Sequence, residues 1–179
     1  QGTGRMGSHV LTTRSSLRFQ INRVDVFAIN CESDSFPQRH TDYWGGCGFV
    51  DVDFDDYRDV FPAEQTRQHL SCSNGLMSVT APGVEMEVLA WNKRDVIAIQ
   101  VNDARKNPGT IAVNLRMLRP PVVRTANHTA TSKLDSSAGR IVLTQEFEEG
   151  DYHCGSAVAI SVAGRETTVR QQNAQEIRL

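Results

Sequence analysis

The chain has 179 residues, of which 39% are hydrophobic and 22% charged, and its 19 Lys and Arg against 21 Asp and Glu give a net charge of −2. A chain of this length can bury a core without disulfides or metals, and its near-neutral charge argues against a nucleic-acid-binding protein, which would present a basic face. No apolar run approaches the roughly 20 residues that cross a bilayer. Neither nucleic acid nor a membrane is therefore expected as a partner.

The chain begins with residues 1–10, QGTGRMGSHV, which are either native sequence or the remnant of a cloning vector. Strands are expected to follow over residues 10–13 and 17–21. The glycines of residues 2–7 have the spacing of a dinucleotide-binding fingerprint, which requires a strand before it and a helix after it. Neither is predicted at this place, so we expect no phosphate site here.

Residues 49–55, FVDVDFD, alternate between apolar side chains and carboxylates. A period of two predicts a half-buried strand, with Asp51 and the two later aspartates on its solvent face. A calcium loop would also require Gly at position 56 and Glu at position 62, and the chain has neither. The pattern favours a solvated strand face, and no metal site is predicted.

The middle of the chain has the signals of an antiparallel meander. Asn74-Gly75 tolerates the positive φ angles of a tight hairpin, Pro82-Gly83 forms the next turn, and a third reversal is expected at residues 92–95. The strands predicted from alternation and flanking turns are residues 69–73, 76–80, 84–90, 96–101, 111–117, 140–147 and 157–162. Helical periodicity is scarce. The predicted fold class is all-β, an antiparallel β-sandwich.

Four cysteines, at positions 31, 47, 72 and 154, form no CxxC pair. They allow three disulfide pairings, and the sequence leaves both disulfides and free thiols open, with buried thiols the more ordinary outcome. The five histidines have no spacing typical of a metal site or a catalytic base, and no serine lies in a nucleophile elbow. No catalytic residue, metal site or cofactor is predicted.

Residues 42–48, DYWGGCG, place two aromatic residues beside three glycines. Aromatic faces suit the C–H surfaces of sugars, and glycines let a ligand approach the backbone closely. The same segment is also typical of a glycine-rich turn whose Trp44 closes the end of a sandwich. The composition favours this second interpretation and leaves the first open.

Three stretches together resemble a known family. Residues 2–7, GTGRMG, are similar to a G-N-G-R-[LM]-G motif with Thr3 in place of asparagine, and residues 19–27, FQINRVDVF, are similar to F-Q-I-N-R-x-D-V-F. Residues 44–51, WGGCGFVD, follow in the same order. The chain resembles the N-terminal β-supersandwich domain of α-L-fucosidase-like glycoside hydrolases, and more closely the bacterial DUF5703-type N-terminal domain. This resemblance favours native sequence at residues 1–10.

The resemblance implies a supersandwich-like domain over residues 1–170, incomplete at its N-terminus, and a linker helix that begins within residues 171–179. It implies that the chain packs on a C-terminal (α/α)6 barrel of the same polypeptide, which supplies the two carboxyl groups that glycoside hydrolysis needs. The chain itself is then expected to be inactive. The alternative is a stand-alone carbohydrate-binding or interaction module. The family also implies a location outside the cytoplasm.

Four residues on these motifs and on the aromatic segment are candidate carbohydrate contacts: Arg5, Asn22, Asp25 and Trp44. Arg5 would supply a planar fork of donors. Asn22 and Asp25 would hydrogen-bond hydroxyl groups, and Trp44 would offer a stacking face. The alternative is a structural role, in which an Arg–Asp ion pair ties the first strands together.

Overall fold

The computed structural model describes residues 1–28, 43–44, 46–55, 59–125, 128–137 and 139–179. Within these residues the chain is all-β, with sixteen strands and no helix, so none of its described elements is a helix that could cross a membrane. The strands are β1 (Met6–Thr12), β2 (Ser16–Arg23), β3 (Phe27–Ala28), β4 (Tyr43–Trp44), β5 (Gly48–Asp55), β6 (Arg67–Leu70), β7 (Leu76–Ala81), β8 (Val84–Trp91), β9 (Val96–Asp103), β10 (Thr110–Arg116), β11 (Val122–Thr125), β12 (His128–Ser137), β13 (Arg140–Glu149), β14 (Tyr152–Ser161), β15 (Arg170–Asn173) and β16 (Glu176–Arg178).

The strands form four sheets. A six-stranded sheet has the order β1-β2-β5-β10-β16-β15, and two four-stranded sheets have the orders β6-β7-β8-β9 and β11-β12-β13-β14. The fourth sheet is the short pair β3-β4. Both four-stranded sheets are antiparallel meanders, in which each strand pairs with the next one along the chain. The predicted class, an all-β antiparallel sandwich, is confirmed.

The turns of the first meander lie where local chemistry predicts them. β6 and β7 are joined through Asn74, whose side-chain oxygen accepts a hydrogen bond from the Leu76 amide at 3.0 Å. β7 and β8 are joined by Pro82-Gly83, and β8 ends at Trp91 while β9 begins at Val96. All three predicted reversals are confirmed.

The chain divides into two compact units. Unit 1 comprises Gln1–Phe19 and Asp51–Ala112, and unit 2 comprises Gln20–Val50 and Val113–Leu179. In unit 1, β7 and β8 alternate so that one face of their sheet is buried. The core side chains of this unit include Met6, Leu17, Phe19, Val52, Phe54, Phe61, Met77, Val79, Val84, Met86 and Val88.

Unit 2 has its core on the inner face of β12 and β13. The side chains of β13 alternate between buried and exposed along the whole strand, because the strand is paired on both sides and its sheet is covered on one face only. The buried side chains of this unit include Ile21, Val26, Cys47, Val50, Leu115, Met117, Ile141, Leu143, Gln145, Phe147, Ile177 and Leu179. Gln145 stands out as a polar member of this set.

Residues 171–179 do not begin a helix. They contribute to a hairpin of β15 and β16, and β16 pairs with β10 in a register that places Arg178 opposite Asn114. Ile177 and Leu179 are 3% and 8% exposed, so the apolar residues recur with a period of two and suit a strand. The expectation of a linker helix is wrong for this segment, because pairing with a distant strand decides its conformation.

Asp51 also differs from its expected place. It is 3% exposed, although the alternation of β5 predicts a solvent-facing side chain. β5 lies between β2 and β10, and Nε of Arg18 on β2 lies 3.8 Å from the Asp51 carboxylate. The side chain of Arg18 lies over the same face of the sheet, so the carboxylate of Asp51 is buried beside a cation. Position 56, where a calcium loop would require glycine, lies outside the described residues. The side chain of Asp55 lies outside them too.

Candidate functional site

The glycine motif at residues 2–7 forms a closed turn that leads into β1. Gly2 and Gly7 form an antiparallel bridge, and the Thr3 amide donates to the Met6 carbonyl at 2.8 Å. The Thr3 hydroxyl accepts a hydrogen bond from the Met6 amide at 3.1 Å, as the side-chain oxygen of an asparagine also can. An asparagine at position 3 could therefore accept the same hydrogen bond. Arg5 is exposed in this turn, within unit 1.

The second motif ends in a turn held by an ion pair. The guanidinium of Arg23 donates to both carboxylate oxygens of Asp25, at 2.7 and 2.6 Å. Val24 between them is 56% exposed, whereas Val26 is 3% exposed and anchors the turn in the core of unit 2. The Arg23–Asp25 pair is local to this turn, with its members two residues apart, and an Arg–Asp pair that ties the first strands together stays a prediction.

The glycine-rich segment approaches the second motif closely. The Cys47 amide donates to the Ile21 carbonyl at 2.8 Å. A Cβ added to Gly46 would lie 2.5 Å from Cδ2 of Leu118 and 3.4 Å from Oδ1 of Asn22. A side chain at position 46 would therefore require Leu118 to shift, and Asn22 lies beside this backbone.

Gly48 is restricted by both conformation and space. Its φ is +132°, a value that residues with a side chain rarely adopt. A Cβ there would lie 2.7 Å from Cδ2 of Leu143 and 3.2 Å from the Arg116 carbonyl oxygen. The glycines at 46 and 48 therefore let the backbone of this segment pack closely on side chains of the same unit. Gly45 lies outside the described residues.

A buried amide connects this segment to β13. The Gln145 side chain satisfies its partners when its nitrogen donates to the carbonyls of Gly46 and Cys47, each at 3.1 Å, and its oxygen accepts from Nη1 of Arg119 at 3.1 Å. Gln145 is 1% exposed, and the Ser156 hydroxyl lies 3.4 Å from its amide. We call these five residues, Gly46, Cys47, Arg119, Gln145 and Ser156, the Gln145 cluster.

The two ionisable members of the Gln145 cluster are both desolvated. The Arg119 guanidinium lies 5.1 Å from the centre of the Phe147 ring, and burial lowers the pKa of Arg119. Burial raises the pKa of the Cys47 thiol, against the smaller opposing effect of a hydrogen bond with Ser156. The thiolate is the reactive form of cysteine, so this buried thiol is unsuited to nucleophilic chemistry at neutral pH.

A second buried polar pair lies on the same sheet. His128 and Glu149 are opposite each other on β12 and β13, with Nδ1 of His128 3.7 Å from Oε2 of Glu149 and side chains 11% and 8% exposed. The His128 ring also stacks on Phe147, with ring centres 6.2 Å apart. The pair combines one carboxylate with one imidazole. No group of three or more metal-ligating side chains occurs in the described part of the chain.

The structure brings only some of the predicted residues together. Asn22 lies beside Gly46, and Asp25 is bound by Arg23 in the adjoining turn. The backbone of Trp44 pairs with that of Phe27, between the second motif and the glycine-rich segment. Of the three cysteines that the structure describes, Cys47 is buried, Cys154 is partly exposed and Cys72 is exposed. Cys31 lies outside the described residues.

Sequence reasoning missed Gln145, Arg119 and the His128–Glu149 pair. One signal was present: in residues 141–147 of β13, Gln145 occupies an inward position between Leu143 and Phe147. A polar side chain at such a position indicates a buried hydrogen-bonding role. The partners could not be read from the sequence, since Arg119 is 26 positions away and outside any strand.

The described residues form an all-β protein of antiparallel sheets. The Gln145 cluster is buried where the glycine-rich segment meets the second motif, residues 19–27. No protein-family model matches the chain, and no curated protein matches it either.

Proposed function

We propose that this chain is a non-catalytic β-sandwich module of a larger carbohydrate-active protein, which packs on an (α/α)6 barrel and helps to shape its sugar pocket. One observation carries the proposal. The second motif and the glycine-rich segment meet at the hydrogen bond from Cys47 to Ile21 and at the contact of Asn22 with Gly46. β3 and β4 extend from this junction, and β4 contains Trp44. A rigid base of this kind suits an aromatic residue that contacts a ligand.

Two ion-paired carboxylates, Asp25 and Asp51, are compatible with a module without its own hydrolytic chemistry. Glycoside hydrolysis requires one carboxyl group that donates a proton and a second that acts as base or nucleophile. Asp25 is bound by Arg23 and Asp51 lies beside Arg18. Both carboxylates lie against guanidinium groups, so neither is placed as the proton donor of such a pair.

Intrinsic fluorescence tests the proposal, because the chain has two tryptophans. Trp91→Phe leaves Trp44 as the single emitter. Titration of this variant with fucose, galactose and oligosaccharides of plant or mucin type is expected to shift the Trp44 emission. The matched variant Trp44→Phe retains Trp91, which is 47% exposed in unit 1, and its emission is expected to stay constant.

The same protein should release no nitrophenol from nitrophenyl glycosides, since the proposed module lacks a catalytic pair. Release of nitrophenol above the rate of a heat-denatured control would contradict the proposal. So would constant Trp44 emission with every saccharide. Tight binding by the isolated chain, with a dissociation constant below ~10 μM (about −7 kcal/mol), would instead favour the alternative of a stand-alone carbohydrate-binding module.

A further inference from the structure

Arg119 is a partly buried arginine that has no carboxylate partner among the described residues. Two other partly buried arginines show the ordinary arrangement: the side chains of Arg23 and Arg105 are 24% and 15% exposed, and each forms an ion pair with an aspartate. Burial lowers the pKa of Arg119, whereas a carboxylate nearby would raise it. A buried charge without a counter-charge is costly, so this guanidinium is suited to bind an anion.

The contacts of Arg119 leave one edge of its guanidinium open. Nη1 donates to the Gln145 side-chain oxygen at 3.1 Å, and Cζ lies 5.1 Å from the centre of the Phe147 ring. Among the described residues no group accepts a hydrogen bond from Nε or Nη2, and neither atom is fully buried. These two nitrogens present a planar fork of donors, which matches the two oxygens of a carboxylate.

The backbone that carries Arg119 is held in place. Pro120 and Pro121 follow it in the sequence, so φ is fixed at two successive positions and Arg119 itself is restricted to extended conformations. The Pro121 carbonyl accepts a hydrogen bond from the Ser132 amide on β12 at 2.7 Å. A donor fork that is already positioned loses little freedom when a ligand binds.

Arg119 lies close to the candidate carbohydrate contact Asn22, within unit 2. A Cβ on Gly46 would lie 2.5 Å from Cδ2 of Leu118, the residue before Arg119, and 3.4 Å from Oδ1 of Asn22. Asn22 is partly exposed, and its amide can hydrogen-bond hydroxyl groups. A guanidinium fork and an amide in one neighbourhood suit a sugar that carries both hydroxyl groups and a carboxylate.

We propose that Arg119 binds the carboxylate of a hexuronic acid unit, so that the saccharide this chain recognises is acidic. The inference rests on the function proposed above and adds the class of sugar to it. Nε and Nη2 of Arg119 donate to the two carboxylate oxygens, and Asn22 hydrogen-bonds a hydroxyl group of the same saccharide. The ligand thereby supplies the counter-charge that Arg23 and Arg105 obtain from within the chain.

Three matched ligands test the proposal on the unmodified chain. Galactose, galacturonic acid and the methyl ester of galacturonic acid differ only at C6, which carries a hydroxymethyl group, a carboxylate or a neutral ester. Near neutral pH, nuclear magnetic resonance follows the Nε–H signal of Arg119 during each titration. We expect galacturonate to shift this signal and to bind at least about tenfold more tightly than either neutral ligand, which is about 1.4 kcal/mol.

Arg119→Lys is the decisive variant, because it keeps the positive charge and removes the planar fork. We expect it to lose most of the preference for galacturonate and to bind galactose as the unmodified chain does. The matched control is Arg140→Lys, an exposed arginine on β13 of the same unit, which should keep the full preference. Urea denaturation shows whether each variant is folded. If Arg119→Lys does not fold, the three ligands on the unmodified chain still decide.

The outcomes separate the acidic sugar from the function proposed above. Equal binding of the three ligands, with a change in Trp44 emission, would overturn the acidic sugar alone. Constant Trp44 emission and a constant Arg119 signal with every ligand would overturn both proposals. Acetate serves as the free anion, and a shift of the Arg119 signal by acetate equal to that by galacturonate would overturn the assignment of a saccharide. An unchanged preference in Arg119→Lys would overturn the role of Arg119.

Discussion

The side-chain oxygen of Gln145 accepts a hydrogen bond from Arg119 at 3.1 Å, and Gln145 is 1% exposed in the interior of unit 2. The nitrogen of the same amide donates to two consecutive carbonyls of the glycine-rich segment. One side chain on β13 thus satisfies polar groups from the segment before β5 and from the segment after β10. Buried polar groups of this kind stabilise a structure only while every partner is present.

Gln145→Leu should therefore destabilise the protein despite its apolar side chain. The substitution leaves the carbonyls of Gly46 and Cys47 and the Arg119 guanidinium without their partner, and we expect a loss of about 2–4 kcal/mol in the free energy of unfolding. Urea denaturation measures it. The control is Glu146→Gln, on the exposed face of the same strand, which should change stability by less than about 0.5 kcal/mol. Equal stability of both variants would contradict the role assigned to the Gln145 cluster.

Gly48→Ala should be more costly than Gly150→Ala. Both glycines have a positive φ, +132° and +56°, but a Cβ at position 150 would meet nothing within 4 Å, whereas at position 48 it would meet Leu143 at 2.7 Å. We expect a loss of about 1 kcal/mol for Gly150→Ala, from backbone conformation alone, and about 2–4 kcal/mol for Gly48→Ala, which adds crowding of the core. Thermal and urea unfolding of both variants check the difference. Similar losses would show that position 48 is limited by its backbone only.

The fold class and the first meander could be predicted because their signals are local. Asn74-Gly75 and Pro82-Gly83 determine turns through their own backbone preferences, and alternation identifies the strands between them. β16 could not be predicted in the same way, because its conformation depends on pairing with β10, with Arg178 opposite Asn114. The burial of Asp51 likewise depends on the strands that flank β5.

Two segments that the sequence singled out prove to be neighbours, but their contacts could not be predicted. The segments around Asn22 and Gly46 meet in the fold. Asp25 is held by Arg23 within a turn, and a turn has no periodicity that would predict this pair. Arg119 and Gln145 come together only through the packing of unit 2, which no local pattern encodes.

Thr3→Asn should preserve the N-terminal turn, whereas Thr3→Val should weaken it. The hydroxyl of Thr3 accepts the hydrogen bond from the Met6 amide, and an asparagine side-chain oxygen can replace it. Valine has the same shape and no acceptor. We expect Thr3→Asn to stay within about 0.5 kcal/mol of the unmodified chain and Thr3→Val to lose about 1 kcal/mol, as measured by urea denaturation. A loss for asparagine as large as for valine would show that an asparagine at position 3 does not replace the hydrogen bond of Thr3.

Alkylation should distinguish the cysteines by burial. Burial raises the pKa of the Cys47 thiol and also blocks access to it, while Cys72 is exposed. Because the thiolate is the nucleophile, iodoacetamide should modify Cys72 in the native protein and Cys47 only in denaturant. Mass spectrometry of the peptides measures both rates in one sample. Modification of Cys47 at the rate of Cys72 in the native protein would contradict the packing of the Gln145 cluster.

The ion pair of Asp103 with Arg105 should make stability depend on pH in the acid range. Nε and Nη2 of Arg105 donate to the two carboxylate oxygens at 2.8 and 2.7 Å. These hydrogen bonds lower the pKa of Asp103 below its ordinary value of 3.8. A carboxyl group with a lower pKa in the folded state stabilises the fold fully above the unfolded-state pKa, and this stabilisation is lost as the pH falls through the folded-state pKa.

Asp103→Asn removes this contribution and keeps the shape of the side chain. Arg105 retains its contact with Phe54, 5.5 Å from the ring centre, so the variant should fold. We expect it to be less stable than the unmodified chain at pH 7, with a difference that shrinks below pH 3.8 as Asp103 takes up a proton. Urea midpoints across this range measure the difference.

Asp59→Asn is the control. The Arg14–Asp59 pair is solvent-exposed, with side chains 85% and 40% exposed, so screening by solvent gives this substitution a smaller effect on stability. A difference for Asp103→Asn that stays constant with pH would show that the ion pair does not contribute to stability.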